Sequence, residues 1–230
     1  MNEFFQSSVF FGVFITLITY LFGAFLKKKF KFALLNPILI SVTVIIVLLV
    51  LLRVDYDVYY SGAKYISYLL TPATVCLAIP LYEQFELLKK NKLAIVLGIF
   101  SGTVTSLLSV FILAFAFGMD NASYVTLLPK SITTAIGMGV SEELGGYVPL
   151  TVAVIIITGL LGNMFAETAC KIFRITHPIA KGVAIGTSAH ALGTAKAIEI
   201  GETEGAISSL SIVVAGLMTV ILSGVFAQFI

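Results

Sequence analysis

Two short stretches carry the side chains that matter for chemistry. The first holds Lys130, Ser131, Thr133, Thr134 and Gly137; the second holds Gly186, Thr187, Ser188, His190, Gly193 and Thr194. Neither contains a nucleophile beside a base, a carboxylate pair or a cluster of metal ligands. Both offer hydroxyls, glycine-rich backbone and one group able to carry positive charge. Where a helix is interrupted, the N–H groups of the new N-terminus are unbonded and carry part of the helix dipole, so they attract anions. With Lys130 and His190 adding formal or switchable charge, such a constellation suits a small carboxylate. The competing reading is packing: Gly, Ser and Thr let membrane helices approach closely, Lys130 snorkels to a headgroup, and His190 is a neutral, hydrogen-bonded core residue.

The rest of the chain says where these stretches must sit. Of 230 residues, 59% are hydrophobic and 11% charged, against roughly 25% charged in a soluble domain. So few charges cannot cover a water-facing surface, and lipid must be the main solvent. A net charge of +2 gives no reason to expect nucleic acid as a partner. Cys76 and Cys170 fall in apolar segments and read as small buried side chains, not a disulfide. The start, MNEFF, lacks the basic region and small-residue cleavage site of a signal peptide.

Apolar runs long enough for a bilayer core, about 20 residues, cover Phe4–Leu26, Phe32–Leu52, Leu93–Met119, Leu144–Ala166 and Gly205–Ile230. Tyr65–Tyr82, with Pro72 and Pro80, reads as a broken or kinked span. Arg53–Lys64 and Glu83–Lys92 read as polar loops, His177 as a turn residue, and Glu142, Glu143, Glu199, Glu202 and Glu204 as loop charges. Asn121–Ser141 and Gly182–Gly201 are too polar for ordinary spans. Irregular backbone at membrane depth is tolerated only inside protein or against a wet cavity. The expected fold is therefore all-α and polytopic: about six long transmembrane helices plus two interrupted or re-entrant segments, in one domain over 1–230.

Ten of the 14 Lys and Arg residues lie in 27–31, 89–92 and 171–181. The positive-inside rule assigns all three loops to the cytoplasm. That holds only if Asn121–Ser141 makes no net crossing, and it leaves the N-terminus outside. Residues 74–83 can be laid on 133–142 as a faint repeat, of interest because carriers are often built from repeats with interrupted helices. An enzyme is not expected: the chain has two His, no HExxH, CxxC or GxSxG pattern, and only Glu167 as an acid within an apolar segment. No cofactor or metal is expected either.

The stretches TPATVCLAIPLYEQ (71–84), LLPKSITTAIGMGVSEELGG (127–146) and FRITHPIAKGVAIGTSAHALGTAKAIE (173–199), with the closing span, resemble the LrgB/CidB family of bacterial membrane proteins. One departure is Gly139, where family members often carry Pro. The resemblance implies a multi-pass protein of the bacterial cell membrane acting with a small LrgA/CidA-like membrane partner. Two functions follow from it. One is antiholin- or holin-like modulation of murein hydrolases and autolysis. The other is carriage of small monocarboxylates such as pyruvate, glycolate or glycerate, because plastid glycolate/glycerate transporters are similar to a fused pair of this kind. The interrupted polar segments favour the carrier, with the eleven residues named above binding substrate. Gly98/Gly102 and Gly182/Gly186 permit a homo-oligomer without requiring one.

Overall fold

The computed structural model describes residues 10–30, 35–69, 72, 75–76 and 78–230. Those residues are helical, with no strand among them. Four helices are long and apolar enough to cross a membrane: Phe11–Phe30 (α1), Lys92–Ala116 (α6), Val148–Ile172 (α9) and Glu202–Phe226 (α11), which a short 3-10 turn, Ala227–Phe229, extends. Large apolar side chains such as Leu93, Phe115 and Ile221 stand in the open on their flanks, as helices that meet lipid require. The chain divides into two compact units, Met1–Cys76 and Leu77–Ile230.

In the first unit, α1 packs against Pro37–Leu52 (α2) and Tyr56–Ser67 (α3). Asn36 starts α2, its side-chain oxygen accepting from the N–H of Ile38 at 2.8 Å. α1 runs through Lys27–Lys29, so these lysines form its last turn rather than a loop after it. Arg53–Lys64, expected as a loop, is largely α3. Its Tyr59 and Gly62 backbone lies directly against Gly12, where any side chain would collide. The broken span expected at Tyr65–Tyr82 and the repeat proposed for 74–83 lie partly outside the described residues. Cys76 is exposed, contrary to expectation, whereas Cys170 is buried; both are free.

The second unit begins with two short helices, Ala78–Glu83 (α4) and Phe85–Lys90 (α5), the latter where a loop was expected. From α6 onward the chain follows one scheme twice. After α6 comes a pair of short helices, Asn121–Leu127 (α7) and Thr134–Glu143 (α8), joined by 128–133. The chain reverses between them, bringing 126–129 back beside 137–146. Gly146 sits against both Ser141 and Thr126, and Gly137 against the Pro129 carbonyl. The base of the pair is tied down. The Thr126 hydroxyl accepts from the Tyr147 N–H at 2.7 Å, and the Thr151 hydroxyl lies 2.7 Å from that of Ser141.

After α9 comes Pro178–Ile200 (α10). It is continuous by hydrogen bonding but leaves helical geometry at Ala189 and at His190, whose φ is 41° and ψ −139°. The two arms, 178–189 and 191–200, fold onto each other. A Cβ on Gly193 would meet the Ile185 carbonyl at 3.1 Å, although eight residues of straight helix span about 12 Å. Ile185 and Ala197 also share one buried cluster with Ala166 of α9. The segment expected to be interrupted is thus a tight hairpin. Glu199, Glu202 and Glu204 lie in helices, not loops.

The two folded-back pairs approach from opposite ends of this unit. The base of α7–α8 lies beside the start of α9 and the end of α11, where Tyr124 donates to the Phe226 carbonyl at 2.9 Å. Both ends of α10 lie at the other end, where Lys181 and Glu204 at the start of α11 are 3.7 Å apart. Lys196 there holds Glu167 of α9 at 2.6 Å and Glu199 at 3.1 Å.

Candidate functional site

The tips of both pairs arrive at the middle of α6. From one side, Ser131 reaches Ser106, their hydroxyl oxygens 3.1 Å apart. From the other, Thr187 presses on Gly102, where a Cβ would come within 2.9 Å of its hydroxyl. Between them runs a groove of about 630 Å³ along α6 and the 178–189 arm of α10. It extends from Asn91 and His177 at the basic end to Ser109, Lys130 and Ser131 in the interior. The wall supplied by α6 is polar because Gly98, Ser101, Gly102, Thr105, Ser106 and Ser109 recur at the three- and four-residue spacing of one helix face.

Polar groups in the groove are arranged unevenly. The hydroxyls of Thr187 and Ser188 donate inward to the carbonyls of Val183 and Ala184, each at 2.7 Å. Their protons are taken, so they offer lone pairs to the groove. Donors gather at the interior end, where Lys130 Nζ donates to Ser131 Oγ at 3.0 Å and the Ser131–Ser106 contact continues the chain. Among the described residues Lys130 has no carboxylate within ion-pair distance. An ammonium without a counter-charge at membrane depth costs roughly 3 kcal/mol on insertion scales. An anion held against Lys130 removes much of that penalty, and the lone pairs along the walls suit the hydroxyl of such a solute or its water.

Four residues named from sequence, Lys130, Ser131, Thr187 and Ser188, line the groove. The other seven do not. Thr133 is the residue before α8, and Thr134 opens that helix without a side-chain cap. Gly137 packs against Ile155 and Pro129, Gly186 against Ser208 and Ser211, and Gly193 against Ala189 and Ile185. Thr194 is fully buried, its hydroxyl 2.6 Å from that of Ser208. His190 is buried, and its Nε2–H donates to the Ile155 carbonyl at 3.0 Å. Its ring occupies a slot that exists because residue 159 is Gly.

Sequence reasoning missed the α6 wall and His177, which flanks the start of α10 and lines the groove. The signal was present: small and hydroxylated residues keep to one face throughout an uncharged span. A second cleft, of about 720 Å³, lies at the basic end near Lys171, Arg174 and Lys181. No group of three or more His, Cys, Asp or Glu side chains among the described residues is placed to hold a metal ion.

The family model for the LrgB-like family matches residues 16–229. The chain belongs to the LrgB-like family. Relatives align with nearly the whole of the chain. An LrgB-family protein of Bacillus cereus (strain B4264), "Antiholin-like protein LrgB", is 40% identical over 222 residues, 96% of each chain. A protein of that name from Bacillus anthracis (strain A0248) matches to the same extent. No solved structure matches this LrgB-family chain.

Proposed function

We propose that this chain is an antiholin-like membrane protein, acting as its relatives are named: it modulates murein hydrolase activity and autolysis together with a small LrgA-like membrane partner. The observation that carries this reading is the 40% identity over nearly all of both chains. It is tested by measuring detergent-triggered autolysis in a host lacking its own proteins of this kind. Autolysis should slow when the chain and its partner are expressed together. Unchanged autolysis with both proteins in the membrane contradicts the reading.

A second reading, a carrier of small monocarboxylates, is favoured by one specific observation: the groove ends on a cation that lacks a carboxylate partner among the described residues. Lys130 is the anion anchor, with Ser131 beside it and Thr187 and Ser188 along the wall. Thr133, Thr134, Gly137, Gly186, His190, Gly193 and Thr194 shape the two tips that present them. Saturable uptake of labelled pyruvate or glycolate into liposomes, with and without the partner, tests this reading; leakage of unrelated solutes instead would point to a pore. Neither reading calls for catalysis or a cofactor.

In both readings the chain is a multi-pass protein of the bacterial cytoplasmic membrane, forming one functional domain, since the family match runs through both compact units. The topology we favour has six crossings, with α7–α8 and α10 as re-entrant pairs from opposite faces. It sets all three basic clusters on the cytoplasmic side, as the charge rule requires, and both termini outside.

A further inference from the structure

We infer that the groove is a one-sided access path, open to the cytoplasm and closed toward the outside by an aromatic plug. The inference concerns the working of the site in the carrier reading and rests on that reading for its purpose, but not for its test.

The groove follows α6 from Asn91, beside Lys89, Lys90 and Lys92, to Ser109. Its other wall starts at His177, next to the cluster of Lys171, Arg174 and Lys181. Its mouth therefore lies at the basic end of the unit, the cytoplasmic end by the charge rule. Along the way Ser101, Thr105 and Ser188 are exposed. These hydroxyls, two on α6 and one on α10, all line the groove, in keeping with water reaching Lys130.

Beyond Ser109 the character changes within one turn of α6. Leu107, Val110 and Ala114 pack with Tyr124, Val125, Leu128 and Phe226 into a buried cluster. Phe111 meets Tyr124 and Phe229 edge to face, with ring centroids 6.2 and 5.5 Å apart. Tyr124 is fully buried and tied to the last turn of α11 through Phe226. This cluster lies between the interior end of the groove and the outer face. It joins α6, α7 and α11, so moving α7 would open it. The α7–α8 pair thus seals the groove on the outer side, and the 178–189 arm of α10 walls its open part.

The test uses the full chain with Cys76→Ser and Cys170→Ser as background, and single cysteines read with a membrane-impermeant maleimide. Ser106→Cys and Thr105→Cys should react in inside-out vesicles and not in intact cells. Leu108→Cys, also exposed at that depth but outside the groove lining, should react in neither. Reaction of the groove cysteines in intact cells, in both preparations or in neither overturns the inference. Adding Tyr124→Ala should bring a gain of reaction in intact cells; no gain means that the plug is not the barrier. Lactate, with sucrose as control, is then added during labelling. Protection by lactate upholds the carrier reading. Sided reaction without protection defeats that reading and leaves the access path standing.

Discussion

The two folded-back pairs of the second unit use similar residues to opposite ends. The α7–α8 pair turns through six residues, 128–133, and carries there a lysine whose Nζ donates to the Ser131 hydroxyl. The α10 pair turns at two residues, Ala189 and His190, and both are locked in place. His190 takes a backbone conformation that favours glycine, with φ at 41°. Strain of this kind costs of order 1–3 kcal/mol and persists only where the surroundings over-determine it. Here they do. The ring is bonded to Ile155, Gly159 makes room for it, Gly162 takes the Ala189 methyl, and Asn163 donates to the Leu192 carbonyl at 2.7 Å. The contrast separates two uses of polar residues inside a membrane protein. One tip spends stability to display a charge in a groove, and the other uses its polar atoms to hold a shape.

That contrast is broken most severely at α9. Gly162→Leu drives a side chain into Ala189, and overpacking of this kind costs about 3 kcal/mol or more. The variant should lose most of its monodisperse peak in detergent gel filtration; a normal peak would mean that the α10 tip is free to move. His190→Ala comes next. It removes the bond to Ile155 yet keeps a Cβ in the strained conformation, for an expected loss of about 2 kcal/mol. His190→Gly loses the same bond but not the backbone freedom, and should recover about 1 kcal/mol of it. Thermal midpoints in detergent check the order parent, Gly, Ala; the reverse order of the two variants would mean that strain is absent. Smaller still is Thr194→Val. Interhelical hydrogen bonds in membranes average about 0.6 kcal/mol, so its midpoint should drop slightly, with autolysis and uptake unchanged.

How much of this was legible in the sequence follows from the same physics. Four of the long spans were, because length and hydropathy alone decide them, whereas the run Phe32–Leu52 forms only the 16-residue helix Pro37–Leu52, its N-terminus set by the Asn36 cap and Pro37. The two interruptions were also visible, since Gly, Ser and Thr concentrate there. Which polar residues face a groove was not. Thr187 and Thr194 sit seven residues apart, nearly two helical turns, and would share a face on a straight helix. The reversal at His190 separates them, putting Thr187 on the groove and Thr194 against Ser208. Likewise Arg53–Lys64 has loop-like charges, but its tyrosines and Gly62 give it a face that docks on α1. Glu204 looked like a loop charge because its partner, Lys181, is 23 positions away and comes near only when α10 folds back.

Lys130 is kept for what it does and not for what it holds together. Thermal midpoints of Lys130→Met and His190→Ala, measured side by side in the same detergent, test this most directly. Methionine fills the same space without the desolvated charge, so Lys130→Met should unfold no lower than the parent, while His190→Ala unfolds clearly lower. A Lys130→Met protein destabilised as much as His190→Ala would show that the lysine is a structural tie and that the groove has lost its reason to bind an anion.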